Sequence, residues 1–288
     1  PNQPLIEFVD SSQDESKLLI WAGGDTSPGT YYLFDRVAKK LQPIMPARPQ
    51  LEGMTLAQVQ SVTYAAADGT NVPAYLTVPP GSNGKNLPAI VMPHGGPSAR
   101  DEWGFDWLSQ YFVSRGFAVL QPNYRGSSGY GDSWYQENGF KSWRTAIGDV
   151  NDAGRWLVKS GLANPGKLFI LGWSYGGYAA LQSAVVDPGL FKAVVAVAPV
   201  TDLETLKKEW VNWSNYRVQS EFIGSGPHIK EGSPARNASQ IAVPVLMFHG
   251  ELDRNVNIAQ SRLMAKQLTA AGKKVELIEY PKLEHSLV

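Results

Sequence analysis

The sequence predicts an α/β fold: a mostly parallel sheet with helices on both faces, preceded by a short antiparallel β segment. Three observations predict it. From about residue 51 onward, short apolar runs alternate with amphipathic stretches of helical period, the pattern of strands buried on both faces by crossover helices. Before that point only short strand-like runs occur, divided by turn-forming residues. The chain of 288 residues is 43% hydrophobic and 18% charged, a composition able to bury a sizeable core.

In order along the chain, Leu5–Val9, Lys17–Trp21, Thr30–Phe34 and Lys40–Ile44 are expected as four antiparallel strands, separated by stretches such as SSQDES and GGDTSPG. Four strands in residues 1–50 are the size of one propeller blade. A lone blade cannot bury both faces, so this segment is either such a blade or an N-terminal strand extension of the main unit. Residues 51–288 are expected to form that main unit. It opens with a hairpin, SVTYAAADGTNVPAYLTVPP, in which Asp68-Gly69 separates two alternating runs. Buried strands are then expected at Ala89–Met92, Ala118–Gln121, Leu168–Leu171, Ala193–Val197, Val245–Phe248 and Val275–Glu279. Helices are expected at Trp107–Ser114, Trp143–Lys159, Tyr175–Val186 and Ala259–Ala271. Residues 201–240 break the rhythm, with Trp210, Trp213, Tyr216 and Phe222 set among polar residues. This stretch reads as an inserted lid or an irregular crossover.

Bulk properties exclude several classes of function. The 26 basic and 26 acidic residues balance, which gives no electrostatic reason to expect nucleic acid or an anionic membrane as partner. The same balance leaves little repulsion between copies, so a homo-oligomer is not disfavoured. Without cysteine there is no disulfide framework, thiolate nucleophile or zinc–thiolate site, and the compartment, cytoplasmic or periplasmic, is not indicated. No apolar run approaches the roughly 20 residues of a membrane span, and PNQPLIEF is not a signal peptide. Four scattered histidines without H-E-x-x-H imply no metal site, and no P-loop or G-x-G-x-x-G implies a cofactor. Asn212-Trp-Ser and Asn237-Ala-Ser are sequons of the kind chance supplies.

The chemistry is carried by LFILGWSYGGYAAL, residues 168–181. Gly172, Ser174 and Gly176 make G-x-S-x-G between an apolar run and a helical pattern, the context of a nucleophile elbow. The motif alone matches unrelated chains; placed between strand and helix it assigns Ser174 as nucleophile and lets the Tyr175 N–H point at an oxyanion. A serine nucleophile needs a base, and the base an orienting acid, met in this arrangement in the order Ser, Asp or Glu, His. VPVLMFHGELD places Asp253 just past a strand's C-terminal end, where open α/β sheets collect site residues. Glu251 is the rival acid, and a helix N-cap is the plain structural role for Asp253. The loop PKLEHSLV after the last strand carries the expected base, His285; His249 is expected to be a buried structural residue and His228 a surface one. LPAIVMPHGGP runs a strand into His94-Gly95-Gly96-Pro97, whose glycines let a backbone N–H face the site as an oxyanion-hole donor, with His94 orienting the loop. Together these segments predict the α/β-hydrolase fold with Ser174, Asp253 and His285 as catalytic triad.

HGGP at 94–97, PNYRGSSGYGDSW at 122–134, GWSYGGYAAL at 172–181, HGELD at 249–253 and LEHS at 283–286 together resemble the prolyl oligopeptidase family of serine peptidases, closest to its acylaminoacyl-peptidase and dipeptidyl-peptidase branches. The resemblance implies an oxyanion hole from the N–H groups of Gly96 and Tyr175, and a bracing role for Arg125 in the loop after the second main strand. It implies that residues 1–50 are the last blade of a β-propeller, most of which this sequence lacks. It also implies a final helix beyond His285. Since only three residues follow His285, its loop is expected to be poorly held and this chain, taken alone, weakly active or inactive.

The function expected first is a serine peptidase acting on short peptides through an acyl-enzyme. A carboxylesterase using the same triad is the second reading, separable by comparing amide with ester substrates. A non-catalytic binding domain on a hydrolase scaffold is the third, against which the complete triad argues.

Overall fold

Twelve residues separate the last strand of one sheet from the first strand of the next, and the chain divides its strands accordingly. The computed structural model describes residues 2–137 and 139–288; Pro1, the first residue of the N-terminal segment, lies outside them. Strands β1 (Leu5–Ser11), β2 (Lys17–Gly24), β3 (Ser27–Asp35) and β4 (Lys40–Pro46) form an antiparallel meander. Its core is thin: β1 and β4 leave nearly all their side chains exposed, and only Ala22, Gly23 and Gly24 of β2 and Gly29 of β3 are buried.

The second sheet has eight strands. The hairpin β5 (Val59–Ala65) and β6 (Asn71–Thr77) is followed by β7 (Leu87–Val91), β8 (Ala118–Pro122), β9 (Ala163–Trp173), β10 (Val194–Val197), β11 (Val245–Gly250) and β12 (Val275–Tyr280). The spatial order is β12-β11-β10-β9-β7-β8-β6-β5. β7 to β12 run parallel, and the hairpin is the antiparallel edge. The reversal of direction around β7 and β8 makes a topological switch, beside which such sheets hold their ligands.

Helices α1 (Trp107–Ser114), α3 (Trp143–Lys159), α4 (Tyr175–Val186) and α8 (Ala259–Ala270) stand where helical periodicity predicts them; α2 (Asp132–Tyr135) is a single turn. Alternation along the strands divides the core between two faces. Ala89, Val91, Leu168 and Ile170 pack in the cluster that contains α3 and α4. Ile90, Val119 and Leu171 turn the other way and pack with Val113 of α1. α1 starts where the Asp106 carboxylate accepts the Ser109 N–H at 2.6 Å, a side-chain N-cap.

Residues 201–240 form the crossover from β10 to its parallel neighbour β11: α5 (Leu203–Glu209), α6 (Tyr216–Ile223), α7 (His228–Glu231) and a 3₁₀ stretch Pro234–Gln240. Of the two sequence readings, the irregular crossover is the one seen. Gln260 of α8 holds its first residues, its side-chain carbonyl accepting the N–H groups of Thr201 at 2.8 Å and Asp202 at 2.9 Å. Among the described residues no helix is long and apolar enough to cross a membrane.

Candidate active site

Ser174 follows β9 directly and precedes α4, with φ 59° and ψ −120°. A non-glycine residue reaches that conformation only when its surroundings enforce it, and here they do so by close approach. A Cβ on Gly172 would overlap the Gly176 carbonyl, and one on Gly176 would overlap the Pro93 carbonyl. The two glycines thus let strand, helix and the 94–97 loop converge on the serine. α4 is buried along almost its whole length, so the elbow sits on a rigid base, and its first N–H groups point toward the serine.

Asp253 and His285 lie on the loops beyond β11 and β12, at the same C-terminal edge of the sheet as Ser174. His285 Nδ1–H donates to Asp253 Oδ2 at 2.6 Å; the aspartate side chain is fully buried and the histidine 18% exposed. Asp253 Oδ1 accepts the N–H groups of Asn255 at 2.8 Å and Val256 at 2.9 Å. Burial works to raise the Asp253 carboxyl, but hydrogen bonds from His249, His285 and the Val256 N–H outweigh it and hold the group below the usual carboxylate range. It therefore stays ionised and fixes the proton on His285 Nδ1, leaving Nε2 free to accept one. Glu251, the rival acid, is exposed, and α8 begins only at Ala259, whose N–H donates to the Asn257 side chain, so Asp253 is not its N-cap.

Ser174, His285, Gly96 and Tyr175 line one open cavity of about 460 Å³. Among the described residues no hydrogen bond joins Ser174 to His285, though both line the same cavity. Gly96 has φ +119°, and a Cβ there would press on the backbone nitrogens of Ser98 and Ala99. The rest of the cavity is uncharged, with Phe140, Val200, Leu206, Trp210, Phe222 and Val256 as its apolar members and Gln219 and Asn255 as its polar ones. Leu206, Trp210, Gln219 and Phe222 all come from the crossover; the aromatics standing among polar residues there were its sequence signal.

The loop carrying Gly96 is braced through His94. Its ring stacks on Tyr124 with centroids 4.4 Å apart, its Nδ1–H donates to the Gly95 carbonyl at 2.7 Å, and its Nε2 lies 2.7 Å from the Ser127 hydroxyl. The Tyr124 hydroxyl donates to the His94 carbonyl at 2.8 Å. Burial pushes His94 down to about 4, against a smaller opposing effect of the Gly95 carbonyl, so the ring is neutral near pH 7. Arg125 is not among the residues lining the cavity; it is paired to Asp149 of α3 and to Asp68 of the hairpin loop, each at 2.6 Å. His228 is bound to the Ile223 carbonyl at 2.8 Å inside the crossover.

Two residues near the site carry roles that the sequence did not disclose. Trp173 donates its indole N–H to the His285 carbonyl at 2.9 Å, tying the loop that carries His285 to the elbow. The same loop is bonded through the Leu252 N–H to the Leu283 carbonyl at 2.9 Å, so it is anchored at two points where a loosely held segment was expected. His249, expected as structural, is fully buried and donates Nε2–H to Asp253 Oδ2 at 3.1 Å. Trp173 occupies the variable position of G-x-S-x-G, where no pattern marks an indole partner more than a hundred residues away.

A model of the prolyl oligopeptidase family matches residues 103–288. Over 94% of its length the chain is 31% identical to dipeptidyl aminopeptidase BIII of Pseudoxanthomonas mexicana, and it is 28% identical over 98% to dipeptidyl peptidase family member 6 of Caenorhabditis elegans. It spans 42% of each of these relatives. Among solved structures, a puromycin-hydrolyzing peptidase of Mycobacterium tuberculosis superposes with TM-score 0.82 at 26% identity, covering 94% of this chain and 42% of that one. The acylaminoacyl peptidase of Pyrococcus horikoshii, with TM-score 0.80 and 22% identity over 97% of this chain and 45% of that one, shares the fold.

Proposed function

The chain belongs to the prolyl oligopeptidase family, and from that premise we propose that it is a serine peptidase hydrolysing short peptides through an acyl-enzyme on Ser174. One observation carries the reading: a buried, ionised Asp253 holds His285 at 2.6 Å with its other ring nitrogen free, beside a serine forced into elbow geometry on the same cavity.

In this reading His285 Nε2 takes the Ser174 proton as Oγ attacks the peptide carbonyl. The N–H groups of Gly96 and Tyr175 receive the developing oxyanion, each such donor being worth on the order of 10²–10³ in rate. His285, now an imidazolium steadied by Asp253, gives its proton to the leaving amine. A water molecule activated by the same nitrogen then releases the acyl group. The neutral, apolar wall from the crossover supports an uncharged, apolar side chain next to the scissile bond, since a charged one would be desolvated there without a partner. The peptidase names of the relatives support an amide rather than an ester as the substrate.

Labelling with a fluorophosphonate probe tests the assignment. Rapid labelling lost in Ser174→Ala is expected; labelling that survives the substitution would place the nucleophile elsewhere. Turnover of uncharged peptide amides, compared with simple esters of the same acyl group, then separates peptidase from esterase.

A further inference from the structure

Asp253 is engaged by two histidines, and the triad uses one of them. Each of its carboxylate oxygens carries two donors: Asn255 and Val256 N–H on Oδ1, His285 and His249 on Oδ2. A carboxylate offers about four acceptor positions, so all are filled. His249 stands at the end of β11 with no solvent exposure. Its Nε2 faces two acceptors, Asp253 Oδ2 at 3.1 Å and the Val256 carbonyl at 2.9 Å, and so bears the proton. Its Nδ1 lies 2.7 Å from the hydroxyl of Ser261, a buried residue of α8 that donates to it and thereby fixes this tautomer.

We propose that His249 is a positioning residue for the reaction, fixing the Asp253 carboxylate against His285, with Ser261 setting the tautomer that makes this possible. The proposal rests on the reading of Ser174, Asp253 and His285 as a triad. Without the His249 bond, Oδ2 loses a donor that points its lone pairs, and the carboxylate gains freedom to swing from His285. It also concentrates its charge on the one histidine that remains, which favours the imidazolium. The charged or titratable groups that face His249 are Asp253 and, through their fields, Glu209 of α5 and Glu279 of β12. Glu209 is pushed up to about 7, chiefly by burial, so near neutrality it adds only part of a charge. Arg262 of α8 pairs with Glu279 at 2.6 Å and compensates it. The group left to answer to His249 is the Asp253–His285 pair.

The test measures second-order fluorophosphonate labelling of the full chain across pH for wild type, His249→Leu, His249→Gln and Ser261→Ala, with thermal denaturation of each. A hydrogen bond to a charged group is worth about 1.5–3 kcal/mol, so His249→Leu is expected to slow labelling about 10- to 100-fold. Its acid limb is expected to move to higher pH. The amide N–H of His249→Gln reaches the place of Nε2–H and restores most of the rate. Ser261→Ala keeps the ring, frees its tautomer and gives a smaller loss. A folded His249→Leu or Ser261→Ala with wild-type rate and profile overturns the proposal, as does a His249→Gln no faster than His249→Leu. Should His249→Leu fail to fold, the other two variants decide. An unlabelled wild-type chain would sink the triad reading and this proposal together.

Discussion

The aspartate shows how a single carboxylate is kept both buried and ionised. Burial alone would raise Asp253, and the hydrogen bonds from His249, His285 and the Val256 N–H reverse that, leaving it charged throughout the range in which the proposed base, His285, must be neutral. Asp253→Asn keeps the shape but presents an amide where Oδ2 or Oδ1 accepts two bonds, which favours the wrong tautomer of His285. A fall on the order of 10⁴-fold in kcat, with the chain still folded by circular dichroism, is the expected result. His94 makes a second residue-scale prediction, this time on stability. Its ring titrates at about 4 in the folded chain and about 6.5 when unfolded. Between those values the unfolded chain holds a proton that the folded chain lacks. Stability is therefore full above about pH 6.5, declines as pH falls, and levels off below about 4, a loss on the order of 3 kcal/mol. Urea midpoints measured from pH 7 to 4 should follow that course, and His94→Asn should remove this part of the slope.

At the scale of elements, the site is a convergence of strand ends held together by side chains that span the sequence. Trp173 links the elbow after β9 to the loop after β12 across 112 residues. Trp173→Phe retains the ring and deletes the indole donor, so the His285 carbonyl loses its partner while packing survives. A net hydrogen bond is worth about 1 kcal/mol, so Tm should move by only a few degrees while kcat falls about tenfold or more through misplacement of the base. Unchanged kcat in a folded variant would show that the loop is held sufficiently by its backbone bond at Leu283. These links divide what was legible in the sequence from what was not. Ser174 and Asp253 could be read because each is announced by an apolar strand followed at once by its loop, a local pattern. α3, α4 and α8 were legible for the same reason, their helical period being sustained over twelve residues or more. The crossover resisted because α5, α6 and α7 have only seven, eight and four residues. Over so few turns a period cannot be told from chance, and the wall of the cavity is set instead by tertiary bonds such as Gln260 to Thr201. The second contact on Asp253 was hidden likewise: HGELD places His249 four residues before the acid, and the turn closed by the Asp253 N–H on the Gly250 carbonyl at 3.3 Å, which brings them together, leaves no periodic signal.

Across the whole molecule, the two sheets differ in what protects them. In the eight-stranded sheet the central strands β7 and β9 are flanked by parallel neighbours and covered on both faces, so exposing their amides requires disrupting the main core. The four-stranded sheet has no comparable core, and Ile6, Phe8, Ile44 and Met45 lie more than half exposed on its outer strands. Among the described residues its hydrogen bonds to the larger sheet's unit run through Asp25, which accepts the Val59 N–H at 2.9 Å on its carboxylate and the Gln110 side-chain N–H at 3.4 Å on its carbonyl. Few bonds and little buried apolar area mean a low opening free energy, since that quantity follows local burial rather than hydrogen-bond number alone. Native-state hydrogen exchange should therefore find β1–β4 opening sub-globally, well below the free energy that protects β7, β9 and β10. Asp25→Ala should lower protection of β1–β4 further and leave that of β9 unaltered. Equal protection of the two sheets would instead mean that they unfold as one cooperative unit, with the Asp25 contacts coupling them far more strongly than their number implies.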